Sequence, residues 1–562
     1  MTIKLPLGTD SFEKLRIENY YYVDKTDFIY ELLRNPFEVN LITRPRRFGK
    51  TLLMSMLEDF FDISKDSSEH FAGLHISEHE EVCAKWMNQY PTLFLSMKSI
   101  EGNTFEQAYG MMKNLLMNLC ITHSYLAESS LIDDTDLQQF EKLKQQKSSE
   151  SELKNSLYML MRMMYTYYGK PVILLIDEYD VPLSKANDFG YYNQMLDLIR
   201  SLLGIVLKTN PYLQFSIVTG CLKISKESIF TGTNNLVSDT VSDNRFSRYL
   251  GFTQDEVTQI LADSGFPDHA EEVKDWYDGY RFGKSDIYCP WDLLCHIHAL
   301  QANADAQPQT YWANTSGNSI VRRFLYRAGK STQREIEQLI AGESISKKVS
   351  HQITYNELED SIDNLWSVLY STGYLTQRKM DADGRMELSI PNREVKEIFI
   401  SQIQEWYKKE VVAKDPLTVQ QFFDAFKTGN TPEIQRMFNR YLIKSISIRD
   451  TAVRNEKKEN FYHGILHGIF RENEDWIVHS NAESGEGYSD ILVEIEEEGI
   501  GLVVEMKYAE NDALEKACAD AMKQIEQKKY ISYLQENGIE QIYAYGIACY
   551  RKHCMVVCQK IR

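Results

Sequence analysis

The sequence predicts a multidomain α/β protein, with a parallel sheet in its N-terminal half, a helical, winged-helix-like middle and a compact α/β domain at its C-terminus. Three stretches carry that expectation. The apolar run Val39–Thr43 leads through Arg44-Pro45-Arg46-Arg47-Phe48-Gly49-Lys50-Thr51 into a helix-forming stretch from Leu52. A second apolar run, Pro171–Ile176, ends in two acids, Asp177 and Glu178. Near the C-terminus, Asp490 and the tripeptide Glu505-Met506-Lys507 lie in two β-branched runs separated by Glu and Gly residues, the pattern of a hairpin.

Composition bounds what such a chain does. A length of 562 residues with 43% hydrophobic content supports several cores. No stretch approaches the roughly eighteen apolar residues of a membrane span, and the segment Met1–Gly8 lacks a signal-peptide core. The expectation is a cytoplasmic protein with no membrane partner. Nine cysteines without repeated spacing read as reduced thiols rather than a disulfide framework. A formal net charge of −19 argues against broad, nonspecific nucleic-acid binding, which depends on Lys and Arg displacing counterions. It leaves room for a local acidic site that attracts phosphate once a divalent cation is bound.

Strand, loop and helix at 39–57 are the parts of a phosphate-binding loop. Its backbone N–H groups cradle phosphate, Lys50 reaches the terminal phosphates and the Thr51 hydroxyl helps to hold Mg²⁺. Arg47, Phe48 and Gly49 complete the loop, and Arg44 stands where GxxxxGK(S/T) has its first glycine. By itself Gly49-Lys50-Thr51 is as readily an ordinary helix start. The run ending in Asp177-Glu178 reads as a buried parallel strand delivering carboxylates at its C-terminal edge. Asp177 is expected to bind Mg²⁺ through water and Glu178 to polarise an attacking water, making the pair of motifs an ATP site. The strand Phe215–Thr219 follows.

The middle of the chain carries no catalytic grouping. Leu358, Ile362, Leu365, Trp366 and Leu369 have helical spacing, and a hairpin follows, Tyr374–Arg378, a turn at Asp381–Gly384, then Met386–Ile390. Only Arg378, Lys379 and Arg385 there offer charge to a phosphate. Cys289, Cys295, His296 and His298 match no common zinc-finger spacing and read as packing residues. His463 and His467, four apart without the Glu of HExxH, read as one face of a packing helix. The polar stretch 445–459 separates this region from the C-terminal domain.

In that domain Asp490 begins one strand of the hairpin. Glu505 and Lys507 lie two apart on the next and share a face. Mg²⁺ binds through one or two carboxylates while keeping several waters, so Asp490 and Glu505 suit it as ligands, and Lys507 suits the charge that develops on a phosphate. Glu-x-Lys alone is far more often a solvated strand with an ordinary ion pair.

The surrounding blocks extend both motifs into resemblances. Residues 1–290 resemble the bacterial AAA-ATPase-like family through Tyr22–Thr26, Arg44–Thr51, Ile176–Glu178, Val218–Gly220, Lys226–Phe230, Asn234-Asn235 and Trp276–Gly283. That likeness makes Arg44-Pro45-Arg46-Arg47-Phe48-Gly49-Lys50-Thr51 the standing form of the loop. It implies a γ-phosphate sensor at Thr219, and makes Arg245 and Arg248 candidates for an arginine finger supplied across an assembly, against the alternative of ordinary surface arginines. Residues 456–562 resemble the PD-(D/E)XK nuclease superfamily through Phe461–Gly468, Glu483–Asp490, Glu505–Lys507 and Gln524–Tyr530. Ser489 replaces the proline of the superfamily's name. This resemblance implies that Glu483 lies on the metal side of the site with Asp490 and Glu505, and that Gln524 and Tyr530 lie on the following helix. Residues 291–455 form the helical middle region. Together the two resemblances imply an ATPase controlling a Mg²⁺-dependent nuclease acting on nucleic acid, DNA ahead of RNA. They imply a homo-oligomer through the ATPase domain and a role in defence or mobile-element processing. The alternative from another class is a nucleotide-driven switch or scaffold whose nuclease-like domain only binds.

Overall fold

The computed structural model describes residues 3–223, 235–312, 321, 324, 330–350, 357, 361–407, 416–445, 455–471, 473, 475–480, 490–509, 512–527, 531, 534–535, 538–550 and 553–561. By packing the chain divides into two compact units. One comprises residues 1–316, 347–386 and 391–394, and the other 317–346, 387–390 and 395–562.

The first unit is built on a five-stranded sheet of β1 (Val39–Thr43), β2 (Thr92–Ser96), β3 (Val172–Asp177), β4 (Leu213–Gly220) and β5 (Leu236–Asp239). The strands run in the order β2-β3-β4-β1-β5, and every pairing is parallel. Parallel strands need both faces covered, which is why β1 and β3 are mainly apolar and buried at every position. The helix Lys50–Phe61 packs Met54, Leu57, Phe60 and Phe61 against Ile42, Ile173 and Leu175. The order places β4 between β1 and β3. The loop after β1, the two acids at the end of β3 and the end of β4 therefore meet at one edge of the sheet.

Behind this edge, a short hairpin of β6 (Tyr280–Phe282) and β7 (Ser285–Ile287) precedes the helix Pro290–Ala302. That helix packs Leu293 and Ile297 with Val273 and Tyr277 of the helix Ala270–Tyr277. The strands β8 (Ile345–Lys347), β9 (Thr376–Met380) and β10 (Met386–Ser389) complete the middle of the chain. The turn after β9 closes through the Gly384 N–H on the Asp381 carbonyl, with Gly384 at φ 74°. The helix expected over 358–369 begins at Ile362, because the Ser361 hydroxyl accepts from the Asn364 N–H and caps it there.

The second unit holds a mixed sheet of β11 (Ile477–Ser480), β12 (Asp490–Ile495), β13 (Ile500–Tyr508), β14 (Gln541–Tyr550) and β15 (His553–Lys560), in that spatial order. The β12/β13 pair is antiparallel, as the hairpin pattern predicts, and Gly499 turns it at φ 63°. β13 and β14 are parallel, joined across the helix Leu514–Gln527. One face of the sheet, with Ile491, Val493, Leu502, Val504 and Met506, packs on Leu466 and Phe470 of the helix Asn455–Phe470 and on Phe426 and Phe438. The last two come from the helices Pro416–Thr428 and Thr431–Ser445. The other face, with Leu492, Val503 and Ala544, packs on Ile525 and Leu534. Among the described residues no helix is long and apolar enough to cross a membrane.

Candidate nucleotide and metal sites

Glycine is required at the end of the phosphate loop. Gly49 caps the helix Lys50–Phe61 in the left-handed region, φ 82°, with open space where a Cβ would stand. Arg47 is also left-handed, at φ 71°. The first-turn N–H groups of a helix have no intrahelical partner, so this turn presents donors towards the loop. Lys50 is buried. Its ammonium donates to the Arg44 and Pro45 carbonyls at 3.2 and 3.1 Å and lies 3.3 Å from Glu178 Oε1. Burial opposes that charge, while the charges around it, Glu178, Asp177 and Asp180 among them, favour it and hold the lysine above its ordinary range. The Cys221 thiol, pushed up to about 12 chiefly by its own burial, is neutral near pH 7, which leaves the carboxylates as the countercharges.

Thr51 and Thr219 converge on Asp177. Thr51 Oγ1 donates to Asp177 Oδ2 at 2.8 Å and Thr219 Oγ1 donates to Asp177 Oδ1 at 2.5 Å. Burial first, then the charge of Glu178, push the Asp177 carboxyl above the usual range, while these two hydroxyls oppose the shift. Glu178 leaves β3 at φ 54°, a left-handed conformation that costs a non-glycine residue on the order of 1 kcal/mol or more. The turn points its carboxylate at Lys50, and Glu178 Oε2 is buried with no hydrogen-bond partner. A cavity of about 740 Å³ opens here, lined by Arg46, Gly49, Lys50, Thr51, Glu178 and Lys185 among others. Asp177 lies beneath it, behind Thr51.

The orphaned Glu178 oxygen, the Thr51–Asp177 pair and the cationic lining fit a Mg²⁺-bound polyphosphate. The side chains of Arg47 and Phe48 are held by aromatic neighbours. The Arg47 guanidinium stacks 4.3 Å from the Trp291 ring, and Phe48 is buried 5.0 Å from both Tyr280 and Phe282. These contacts fasten the loop to the β6/β7 hairpin and the helix that follows it, and both residues line the cavity. Arg44, in place of the first glycine, is wholly buried and paired with Asp239 at 2.7 Å. Its side chain runs under β5, so the loop keeps its path without a glycine there. Of the two candidate finger arginines, Arg245 is engaged by the Asn35 carbonyl and Asn40 and stacks on Phe246, whereas Arg248 is exposed.

Sequence reasoning did not single out Asp180 or Cys221. Asp180 Oδ2 accepts the Cys221 and Leu222 N–H groups at 3.0 and 2.9 Å and so ties the end of β4 to the segment after β3. Gly220 is needed at this contact, since a Cβ there would meet Asp180 Oδ1 at 2.6 Å. The close Asp-Glu-Tyr-Asp spacing was the available signal.

In the second unit the register pairs Asp490 directly with Glu505 across β12 and β13. Glu505 is fully buried, and Glu505 Oε1 lies 2.9 Å from Lys507 Nζ, which confirms that the two share a face. Lys507 also reaches Glu459 at 3.5 Å, and Glu459 accepts the Tyr508 N–H. Glu459 lay in the stretch read as a separator, and its place on the helix Asn455–Phe470 carries it to the strand. Gln524 is half-buried on the helix Leu514–Gln527, next to Ile525, which packs on Val503, a residue of Glu505's parity. Glu483 and Tyr530 lie outside the described residues, as do 226–230 and Asn234. The carboxylate of Glu505 beside Lys507, with Asp490 opposite it in the register, suits a hard divalent cation. His463 and His467 stack with ring centroids 6.0 Å apart, and burial pushes His467 down to about 4.

Residues 6–230 match the family described as predicted AAA-ATPase, and residues 457–559 match the PD-(D/E)XK nuclease superfamily. Both are enzyme-associated groups. A curated relative from Azotobacter chroococcum mcd 1, described as an uncharacterized protein in the vnfD 5′ region, is 26% identical over 475 residues, covering 83% of this chain and 82% of its own length.

Proposed function

Because the chain joins an AAA-ATPase-like domain to a PD-(D/E)XK nuclease superfamily domain, we propose that ATP binding and hydrolysis in the first controls Mg²⁺-dependent cleavage of nucleic-acid phosphodiesters, DNA ahead of RNA, by the second. The observation that carries it is the convergence of Lys50, Thr51 and Glu178 on one cavity, with Asp177 bonded to Thr51, matched by the Asp490–Glu505 register pair beside Lys507. When bound, the divalent ion lowers the pKa of a water and offsets charge on phosphoryl oxygens.

The residues of the chain do the rest. Lys50 leaves the Arg44 and Pro45 carbonyls and its Glu178 partner for the terminal phosphates. Freed of Lys50, Glu178 takes a proton from the attacking water at Oε2. Asp177 holds the Thr51 hydroxyl in place to face the ion. In the nuclease domain, Asp490 and Glu505 supply the oxygens, and Lys507 Nζ orients the water or steadies the phosphate charge. Glu483 and Gln524 complete this group in the reading.

One observation favours a binding-only domain instead: Lys507 is placed between two carboxylates, Glu505 and Glu459, as in a structural ion-pair network. Calorimetry with Mn²⁺ separates the two readings. We expect a metal-binding signal from the nuclease domain that Asp490→Asn removes while ATP binding persists. Binding indifferent to that substitution sinks the catalytic reading.

A further inference from the structure

His296 lies on the helix Pro290–Ala302, fully buried, with neither ring nitrogen hydrogen-bonded. An imidazole carries two polar nitrogens, and burying both without a partner is costly. What faces it is chemically specific. His269 and Glu272, three apart on the turn into the helix Ala270–Tyr277 and therefore on one face, lie alongside, with the His269 and His296 ring centroids 6.5 Å apart. One donor atom from each of the three residues falls within 4.8 Å of the others, the one such group of three among the described residues.

We propose that His269, Glu272 and His296 form a binding site for a transition-metal cation of the zinc class, separate from the nucleotide loop and from the nuclease domain. Two imidazoles and one carboxylate are a zinc donor set, and nitrogen donors select Zn²⁺ over Mg²⁺. Bond lengths of about 2.0–2.1 Å put tetrahedral ligand atoms roughly 3.4 Å apart. His269 Nδ1 and Glu272 Oε2 are already 2.8 Å apart. Closing the remaining gap falls to these two side chains, which are 26% and 29% exposed and able to turn, while His296 is fixed by its burial. The carboxylate of Glu272 offsets part of the ion's charge, and burial keeps His296 neutral, the form that offers a lone pair. Bound metal would fasten the helix Ala270–Tyr277 to the helix whose first turn carries Trp291, the ring that Arg47 of the phosphate loop stacks upon.

The test uses full-length protein, stripped with chelator, loaded with Zn²⁺ and dialysed against excess Mg²⁺ so that the carboxylate sites hold no zinc. Elemental analysis is expected to find about one Zn²⁺ per chain in the wild type. In Glu272→Gln and in His269→Ala, both at partly exposed positions, binding weakens at least about tenfold, so the metal is lost on dialysis. Added Zn²⁺ is expected to raise Tm in the wild type and not in either variant, with unchanged circular dichroism showing that the variants fold. The proposal is overturned if the wild type retains no zinc under these conditions, as when an ordered water satisfies His296, or if both variants retain as much as the wild type.

Discussion

Glu178 sits one residue past the end of a wholly buried strand, in a left-handed backbone conformation, with one carboxylate oxygen on Lys50 and the other without a partner. Strain and an unsatisfied oxygen at the same residue are what a proton acceptor waiting for its water looks like. Glu178→Gln keeps the size and removes the base. ATP turnover is expected to fall by roughly 100-fold or more, with nucleotide affinity changed only a few-fold, as read by steady-state hydrolysis beside a binding titration. Much at this scale was legible in the sequence, because Lys50, Thr51, Asp177 and Glu178 owe their places to strand ends. What escaped were side chains brought in by tertiary packing. Asp180, Cys221 and Glu459 acquire their roles from neighbours far along the chain, as Glu459 does by reaching Lys507 and the Tyr508 N–H. The aromatic groups that hold the Arg47 and Phe48 side chains, Trp291, Tyr280 and Phe282, likewise follow the loop by more than a domain's worth of sequence.

Strands were the most legible elements. Val39–Thr43 is β1 as expected, and Pro171–Glu178 and Phe215–Thr219 differ from β3 and β4 by a residue or two at their ends. Their apolar runs have few other places to go than a covered parallel sheet. Helices of the middle region were less legible, since helical spacing says which face is apolar and not which core receives it. Pro416–Thr428 and Thr431–Ser445 lie between the two domains recognised in sequence, yet Phe426 and Phe438 join the core of the C-terminal sheet. Another element contact has a pH consequence. Glu394 is fully buried, and Glu394 Oε1 accepts the Trp312 N–H at 2.7 Å. Burial, then the neighbouring Asp292, push its carboxyl up to about 10. The folded state therefore keeps a proton that the unfolded chain gives up near its ordinary value of 4.5. Stability from this group is complete below that value and is lost as pH rises towards 10. Thermal melts across pH 5 to 9 are expected to show Tm falling, and Glu394→Gln, which stays neutral, is expected to flatten that slope and to be the more stable form at pH 8. A wild-type slope unchanged in the variant would assign the loss to other groups.

At the scale of the whole molecule, the proposed function puts two phosphate chemistries on one acidic chain. The net charge of −19 leaves little electrostatic attraction for nucleic acid without metal, so any cleavage should depend steeply on divalent ion. Both candidate sites hold a lysine against a carboxylate at or near a strand end, Lys50 on Glu178 and Lys507 on Glu505. That likeness makes each lysine a clean probe of its own site. The most direct measurement follows cleavage of labelled DNA and ATP turnover in the same reaction, with Mg²⁺, for the wild type and Lys507→Ala. The account predicts that the wild type cuts, that Lys507→Ala does not, and that ATP turnover is within about twofold in the two proteins, since Lys507 is assigned no part in ATP hydrolysis. Wild-type protein that turns over ATP yet cuts neither DNA nor RNA, or a Lys507→Ala variant that cuts as fast as the wild type, would contradict it.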